Sequence, residues 1–241
     1  MNLLSKGREA RTSMNPKRKK ILGIVTIGQS PRPDVVQDIS PFIGEDVQIL
    51  ERGALDGLSG DRIKALSPEK GMLPLVARLA DGREVILAEE KILSLMESAV
   101  VELNDREASL ILLLCVGSFP AWASGSLVIS PHRIVERCVD GLLDRTSRLG
   151  LVLPIPEQEE WARRTFAPIT PHLTVTAVSP YSDGSRLSLA AKALVEADCD
   201  LIVMYCLGFT RAWTREIRAA TGKPVLLPRT LVARTIGELL E

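Results

Sequence analysis

Two stretches decide the fold: Leu110-Ile-Leu-Leu-Leu-Cys-Val-Gly117 and Leu201-Ile-Val-Met-Tyr-Cys-Leu-Gly208. Each is a continuous apolar run followed by cysteine, one apolar residue and glycine. Runs of this kind mark strands buried on both faces of a parallel sheet. The shared spacing sets Cys115 and Cys206 at the carboxyl ends of two such strands, where open α/β sheets bind their ligands. Two thiols placed in this way can face each other across a cleft between two half-domains.

The flanks of both stretches carry the same plan. Ile21–Ile27 reads as a first strand ending in the polar loop Gly28-Gln-Ser-Pro-Arg-Pro-Asp34, and residues 47–50 as a second strand. Residues 84–87 form a third strand, paired antiparallel with part of the region before it. Residues 89–103 form a helix, because Ile92, Met96, Ala99, Val100 and Leu103 recur on one face. Residues 127–130 make another strand, and Pro131 opens a helix to Leu143 at the favoured first position.

The second half repeats the order: a strand over 149–153, a helix over 157–167, a strand over 173–178 and a helix over 185–197. The Cys206 strand then leads into a helix over 210–220, stopped by Thr221-Gly222. Pro224-Val-Leu-Leu227 and a helix from Pro228 to Leu240 close the chain. Pro131–Leu143 overlays Pro228–Leu240 with coincident apolar positions. The fold class is therefore α/β, with two pseudo-symmetric lobes, each a mainly parallel sheet flanked by helices. The expected divisions are a basic, disordered extension over 1–20, an N-terminal lobe over 21–125, a C-terminal lobe over 126–223, and a closing strand and helix over 224–241 that packs back on the first lobe.

Bulk properties agree with a soluble α/β chain. The 241 residues are 46% hydrophobic and 25% charged, with only 4% aromatic. No apolar run approaches the roughly 20 residues needed to cross a bilayer, and no secretory signal is visible, so the expected location is the cytoplasm. Residues 1–20 hold seven basic side chains against Glu9 alone, a net of +6, which leaves about −6 on the rest. That balance argues against nucleic-acid binding by the body. Met14 stands where a shorter chain could begin.

The motif inventory excludes several chemistries. The four cysteines at 115, 138, 199 and 206 form no CxxC pair and no zinc framework. His132 and His172 are the only histidines, and neither a GxGxxG nor a GxxxxGK[ST] loop is present. No metal and no cofactor are expected. Cys138 falls on an apolar helix face with Ile134, Val135 and Leu142, and Cys199 precedes its strand; both read as structural thiols. Cys115 and Cys206 have a structural reading too, since cysteine is among the most buried residue types.

Their chemical reading is an acid–base pair. Two thiols on opposite faces of one carbon can remove and return the proton beside a carboxylate without a cofactor, provided their surroundings favour the thiolate. Backbone N–H groups at helix starts, Ser30, Ser118 and Arg32 are candidate holders of the carboxylate. Arg32 offers a two-bond fork. Glu157 reads either as a general base or as a first-turn acid favoured by the helix dipole. Gln29, Gln158, Tyr181 and Thr210 complete the candidate binding set. His132 reads as a capping or surface residue.

Thr26-Ile-Gly-Gln-Ser-Pro-Arg32, Gly53-Ala-Leu-Asp56, Pro154-Ile-Pro-Glu-Gln158, Ser179-Pro-Tyr181 and Cys206-Leu-Gly-Phe209 together resemble the AroM family, within the aspartate/glutamate racemase-like superfamily. The resemblance covers about residues 20–241 and implies two pseudo-symmetric lobes with a cysteine on each. The family's name reflects an association with aromatic biosynthesis genes. The chain departs from racemases in its neighbours. Val-Gly-Ser follows Cys115 and Leu-Gly-Phe follows Cys206, where racemases place Asn-Thr or Thr, and Gln29-Ser30 replaces an Asp-Ser pair. The resulting expectation is a small carboxylate bound between the lobes of a monomer or homodimer, with racemisation or isomerisation by the two cysteines, or one-thiol decarboxylation. The alternative is a non-catalytic carboxylate sensor linked to aromatic amino acid metabolism.

Overall fold

Strand β1 (Lys20–Thr26) is buried on both faces, and that determines how everything else packs. Leu22 and Ile24 point into one cluster while Val25 points into another, and none is more than 1% exposed. The computed structural model describes residues 20–241, so the expected disordered basic extension lies, apart from Lys20, outside the described residues. Parallel partners flank β1: β2 (Val47–Gly53) on one side and β5 (Leu110–Leu113) on the other, with β6 (Leu127–Ile129) beyond β5. The first sheet thus runs β2-β1-β5-β6.

The second sheet has the matching order. Its strands are β7 (Arg148–Leu153), β8 (His172–Ala177), β9 (Leu201–Met204) and β10 (Val225–Leu226), arranged β8-β7-β9-β10 and all parallel. β5 and β9, which carry the two cysteines at their ends, are equivalent. The sequence division at 125/126 is corrected here. β6 hydrogen bonds to β5 and belongs to the first sheet, and β10 bonds to β9 and belongs to the second. Each unit closes with its own short strand, because an apolar run at the end of a parallel unit is satisfied only beside its neighbour.

Helices cover the faces. α1 (Pro33–Ile39) and α2 (Gly60–Ala65) are short. α3 (Glu89–Asp105) buries the five residues predicted from its periodicity. α4 (Pro131–Leu142) and α8 (Pro228–Leu240) start with proline, α5 is Glu159–Phe166 and α6 Leu187–Glu196. α7 (Arg211–Thr221) is capped by Thr210 and ended by Gly222 at φ 68°, a left-handed turn that favours glycine. The lobes share a cluster in which Leu22 and Ile24 meet Leu149, Leu151 and Val203, with Val232 and Ile236 of α8.

One element breaks the symmetry near the cysteines. An antiparallel hairpin of β3 (Pro74–Arg78) and β4 (Glu84–Ala88) follows α2, and the second lobe has nothing equivalent. It is fastened to both lobes. Gln29 N donates to the Arg78 carbonyl at 3.0 Å, and Gln158 Nε2 to the Pro74 carbonyl at 2.8 Å. Ser179 Oγ also bonds the Glu84 carboxylate. Gly28 is required at this junction, since a Cβ there would overlap the Arg78 carbonyl.

Candidate active site

Both cysteines stand two residues past the last paired residue of their strand. Cys115 N bonds the Leu113 carbonyl at 2.9 Å, and Cys206 N the Met204 carbonyl at 2.7 Å, so each chain turns sharply out of its strand. The turn aims the N–H two residues on at the sulfur: Gly117 N to Cys115 Sγ and Gly208 N to Cys206 Sγ, each 3.3 Å. Both turns are tight around their glycine. A Cβ on Gly117 would come 3.0 Å from Glu89 Oε2, and one on Gly208 2.8 Å from the Pro180 ring.

The two thiols line one cavity between the lobes. Its other walls include Leu73, Leu75 and Val76 from the hairpin region, Pro154 and Trp161. Its volume is about 20 Å³, room for about one water. Gln158 lines it as well and is buried. A larger hollow of about 690 Å³, lined by Ser118, His132, Arg133 and Glu136, lies on the other side of Trp161, which contributes to both.

The thiols occupy different fields. Burial pushes Cys115 up to about 12, and the proximity of Cys206 and Glu89 adds to the rise, against the Gly117 N–H bond. Burial raises Cys206 as well, but the Gly208 N–H, Arg32 and Arg229 oppose it. Arg229 is 1% exposed and holds the Cys206 turn: Nε donates to the Leu207 carbonyl and Nη2 to the Gly208 carbonyl, each at 2.9 Å. Its Nη1 reaches across to Asp38 at 2.8 Å and the Asp34 carbonyl at 3.0 Å on α1. His132 occupies the equivalent position at the start of α4, buried beside the Gly117 backbone, and burial lowers its proton affinity.

Glu89 is a site residue that sequence reasoning missed. As the first residue of α3, it looks like an ordinary dipole-favoured acid. In the fold its Oε2 is buried without a hydrogen-bond partner, against Gly117. Burial raises its carboxyl to about 7, the Ser118 N–H opposing and nearby Glu90 reinforcing the shift. The only available signal was the abrupt change from an apolar strand to acid at Ala88-Glu89, and that does not reveal which loop it meets.

The expected binding residues sort into three groups. Cys115, Cys206 and Gln158 line the cavity; Gln158 spends its amide on the hairpin. Arg32 and Tyr181 lie close enough to Cys206 to act on its charge, and the Arg32 fork expected to hold a carboxylate meets one from the protein itself. Arg32 Nε and Nη2 already grip Asp34 at 2.9 and 2.8 Å, and Nη2 donates to the Tyr181 hydroxyl at 3.2 Å. Burial works against that guanidinium, but the Asp34 bonds override it and raise its proton affinity. Tyr181 is sandwiched with Arg32 and Arg78, each 5.7 Å from its ring centre.

The remaining candidates serve the framework. Gln29 Oε1 accepts from Ala80 N at 2.8 Å in the hairpin turn. Ser30 is bound through N and Oγ to Asp56 at 2.8 and 2.6 Å. Thr210 caps α7, its hydroxyl accepting from Trp213 N at 3.3 Å. Glu157 is exposed on the 3-10 turn Pro156–Gln158, and Ser118 is exposed in the larger hollow. Cys199 is fully buried, as read. Cys138 is only partly buried, because the Leu142 end of its helix face is 61% exposed. Among the described residues no His, Cys, Asp and Glu cluster could hold a metal, and no helix is long and apolar enough to cross a membrane.

Several solved structures share this fold. Unliganded arylmalonate decarboxylase aligns with a TM-score of 0.57 at 14% identity, covering 92% of each chain. The maleate isomerase Iso from Pseudomonas putida S16 gives 0.56 at 12%, again covering 92% of each. Picrophilus torridus aspartate racemase gives 0.53 at 12%, covering 92% of this chain and 94% of its own. A comparison with curated proteins finds no match. The AroM protein family matches residues 22–240, nearly everything the two lobes comprise, and the chain belongs to that family.

Proposed function

We propose that the protein moves a proton at the carbon beside the carboxylate of a small acid, without a cofactor, using Cys115 and Cys206 as an acid–base pair. The observation that carries this reading is the one cavity lined by both cysteines, whose sulfurs each accept an N–H from the glycine two residues on. One sulfur, as thiolate, takes the proton. The electron pair left on carbon spreads into the carboxylate, and the opposite thiol returns a proton from the other face. The two sulfurs exchange protonation, so atoms and charge balance and the product is the inverted or isomerised acid. Arg32 and Arg229 favour negative charge at Cys206, which makes Cys206 the resting base and Cys115 the resting acid. Racemase, isomerase and decarboxylase chemistry in proteins of the same fold supports the reading.

A water-sized cavity must widen to admit such an acid, and the hairpin whose β3 lines it is the element to move. The same features, a closed apolar cavity and two thiols pushed upward by burial, favour a second reading: a carboxylate sensor without turnover. Incubation in D2O with α-substituted mono- and dicarboxylates separates the two. Loss of the α-proton NMR signal is expected for the enzyme. A ligand that stabilises the fold without exchanging its α-proton supports the sensor.

A further inference from the structure

A third concave site lies between α7 and α8, and it shares no lining residue with the thiol cavity. Its volume is about 400 Å³, within the size range of small-molecule sites. Four arginines line it: Arg211, Arg215 and Arg218 from α7, and Arg234 from α8. No acidic residue lines it, and none of the four forms an ion pair among the described residues. This gathering stands out because residues 21–241 carry a net of about −6. Arginines scattered on an acidic surface ordinarily find partners, whereas like charges on one helix face repel.

The groove is also built. The α7 arginines recur at i, i+4 and i+7, so they line up along one helix face over roughly 10 Å. Arg234 and Arg211 stand over the Phe42 ring with their guanidinium carbons 4.5 and 5.5 Å from its centre. Such cation–π packing holds the forks without using their N–H donors. Arg218 Nη2 is fixed to the Val225 carbonyl at 3.1 Å. The floor is apolar, from Val225, Leu226 and Leu231, and Thr230 adds a hydroxyl. α7 has no counterpart in the first lobe, whose chain runs from β5 to β6 without a helix, so this groove exists once per chain.

We infer that this groove binds a small molecule carrying two or more phosphate groups. Planar guanidinium forks match phosphate oxygens in two-bond geometry. The spread of charge along α7 exceeds what one phosphate occupies, and a volume of about 400 Å³ suits a compact ligand better than a polymer.

Inorganic pyrophosphate titrated into the full chain by calorimetry is the test, at low salt and again at physiological salt. Saturable one-to-one binding is expected, at least about tenfold weaker in the Arg215→Gln/Arg234→Gln double variant, which removes two charge-assisted contacts. Both side chains are exposed, so the variant's melting curve should match the parent. Binding should be unchanged in the Cys115→Ser/Cys206→Ser variant, which separates this site from the thiol cavity. Absence of saturable binding at low salt overturns the inference, as does equal binding by the double arginine variant, which would assign the pyrophosphate to the basic N-terminal segment. Displacement of pyrophosphate by an oligonucleotide, with affinity rising with its length, overturns the small-molecule assignment.

Discussion

Cys115 and Cys206 are equivalent by topology but not by environment. Glu89 approaches the Cys115 turn, while Arg32 and Arg229 approach Cys206. Alkylation by iodoacetamide, followed site by site with mass spectrometry across pH, should therefore modify Cys206 faster than Cys115 at every pH near neutrality, because only thiolate reacts. Equal rates would remove the assignment of base and acid. Glu89 gives a second readout. Its carboxyl holds a proton to about pH 7 in the fold and releases it near 4.5 when unfolded. Between those values the folded state binds more protons, so this contribution to stability is full below about 4.5 and is lost as pH rises towards 7. Chemical denaturation of Glu89→Gln should show a shallower fall in stability over that window than the parent. Identical slopes would mean that Glu89 ionises freely.

At the scale of elements, the strands and longer helices were legible because their period is local. Continuous runs such as 110–114 announce strands buried on both faces, and the five inward residues of α3 announce its face. Pro131, Pro228 and Gly222 mark ends for backbone reasons that hold in any context. Of the candidate site, the placement of Cys115, Cys206 and Gln158 around one cavity was legible. The protein contacts of Arg32, Gln29 and Ser30 were not legible, because Asp34 turns back to grip the first, and Ala80 and Asp56 reach the others from distant loops. Nor does any local pattern tell that β3 lines the cavity. Among the described residues, the Gln158 bond to Pro74 is a hairpin tie made by a residue that also lines the cavity. Gln158→Ala should destabilise the protein by about 1 kcal/mol. It should also speed amide exchange in β3 and β4 more than in β1 or β7. Unchanged exchange in the hairpin would show that this tie does not hold it.

Across the whole molecule, the two sheets are joined by one apolar cluster rather than by a linker. Leu22 and Ile24 from the first sheet and Leu151 and Val203 from the second lie in it together, and α8 runs between. Arg229 adds a polar tie, linking the Cys206 turn of one lobe to α1 of the other. Lobes joined in this way unfold as one unit, so scanning calorimetry should record a single transition. Two resolved transitions would mean that the lobes are stable apart. The same union holds both cysteines in the lining of one water-sized cavity, and the proposed acid–base pair rests on that placement. Its most direct test is α-proton exchange in D2O, with the acid that best stabilises the fold as substrate. The account predicts exchange by the parent, near-complete loss in both Cys115→Ser and Cys206→Ser, and unchanged melting of the two variants in the absence of ligand. Full exchange activity in either variant would contradict it.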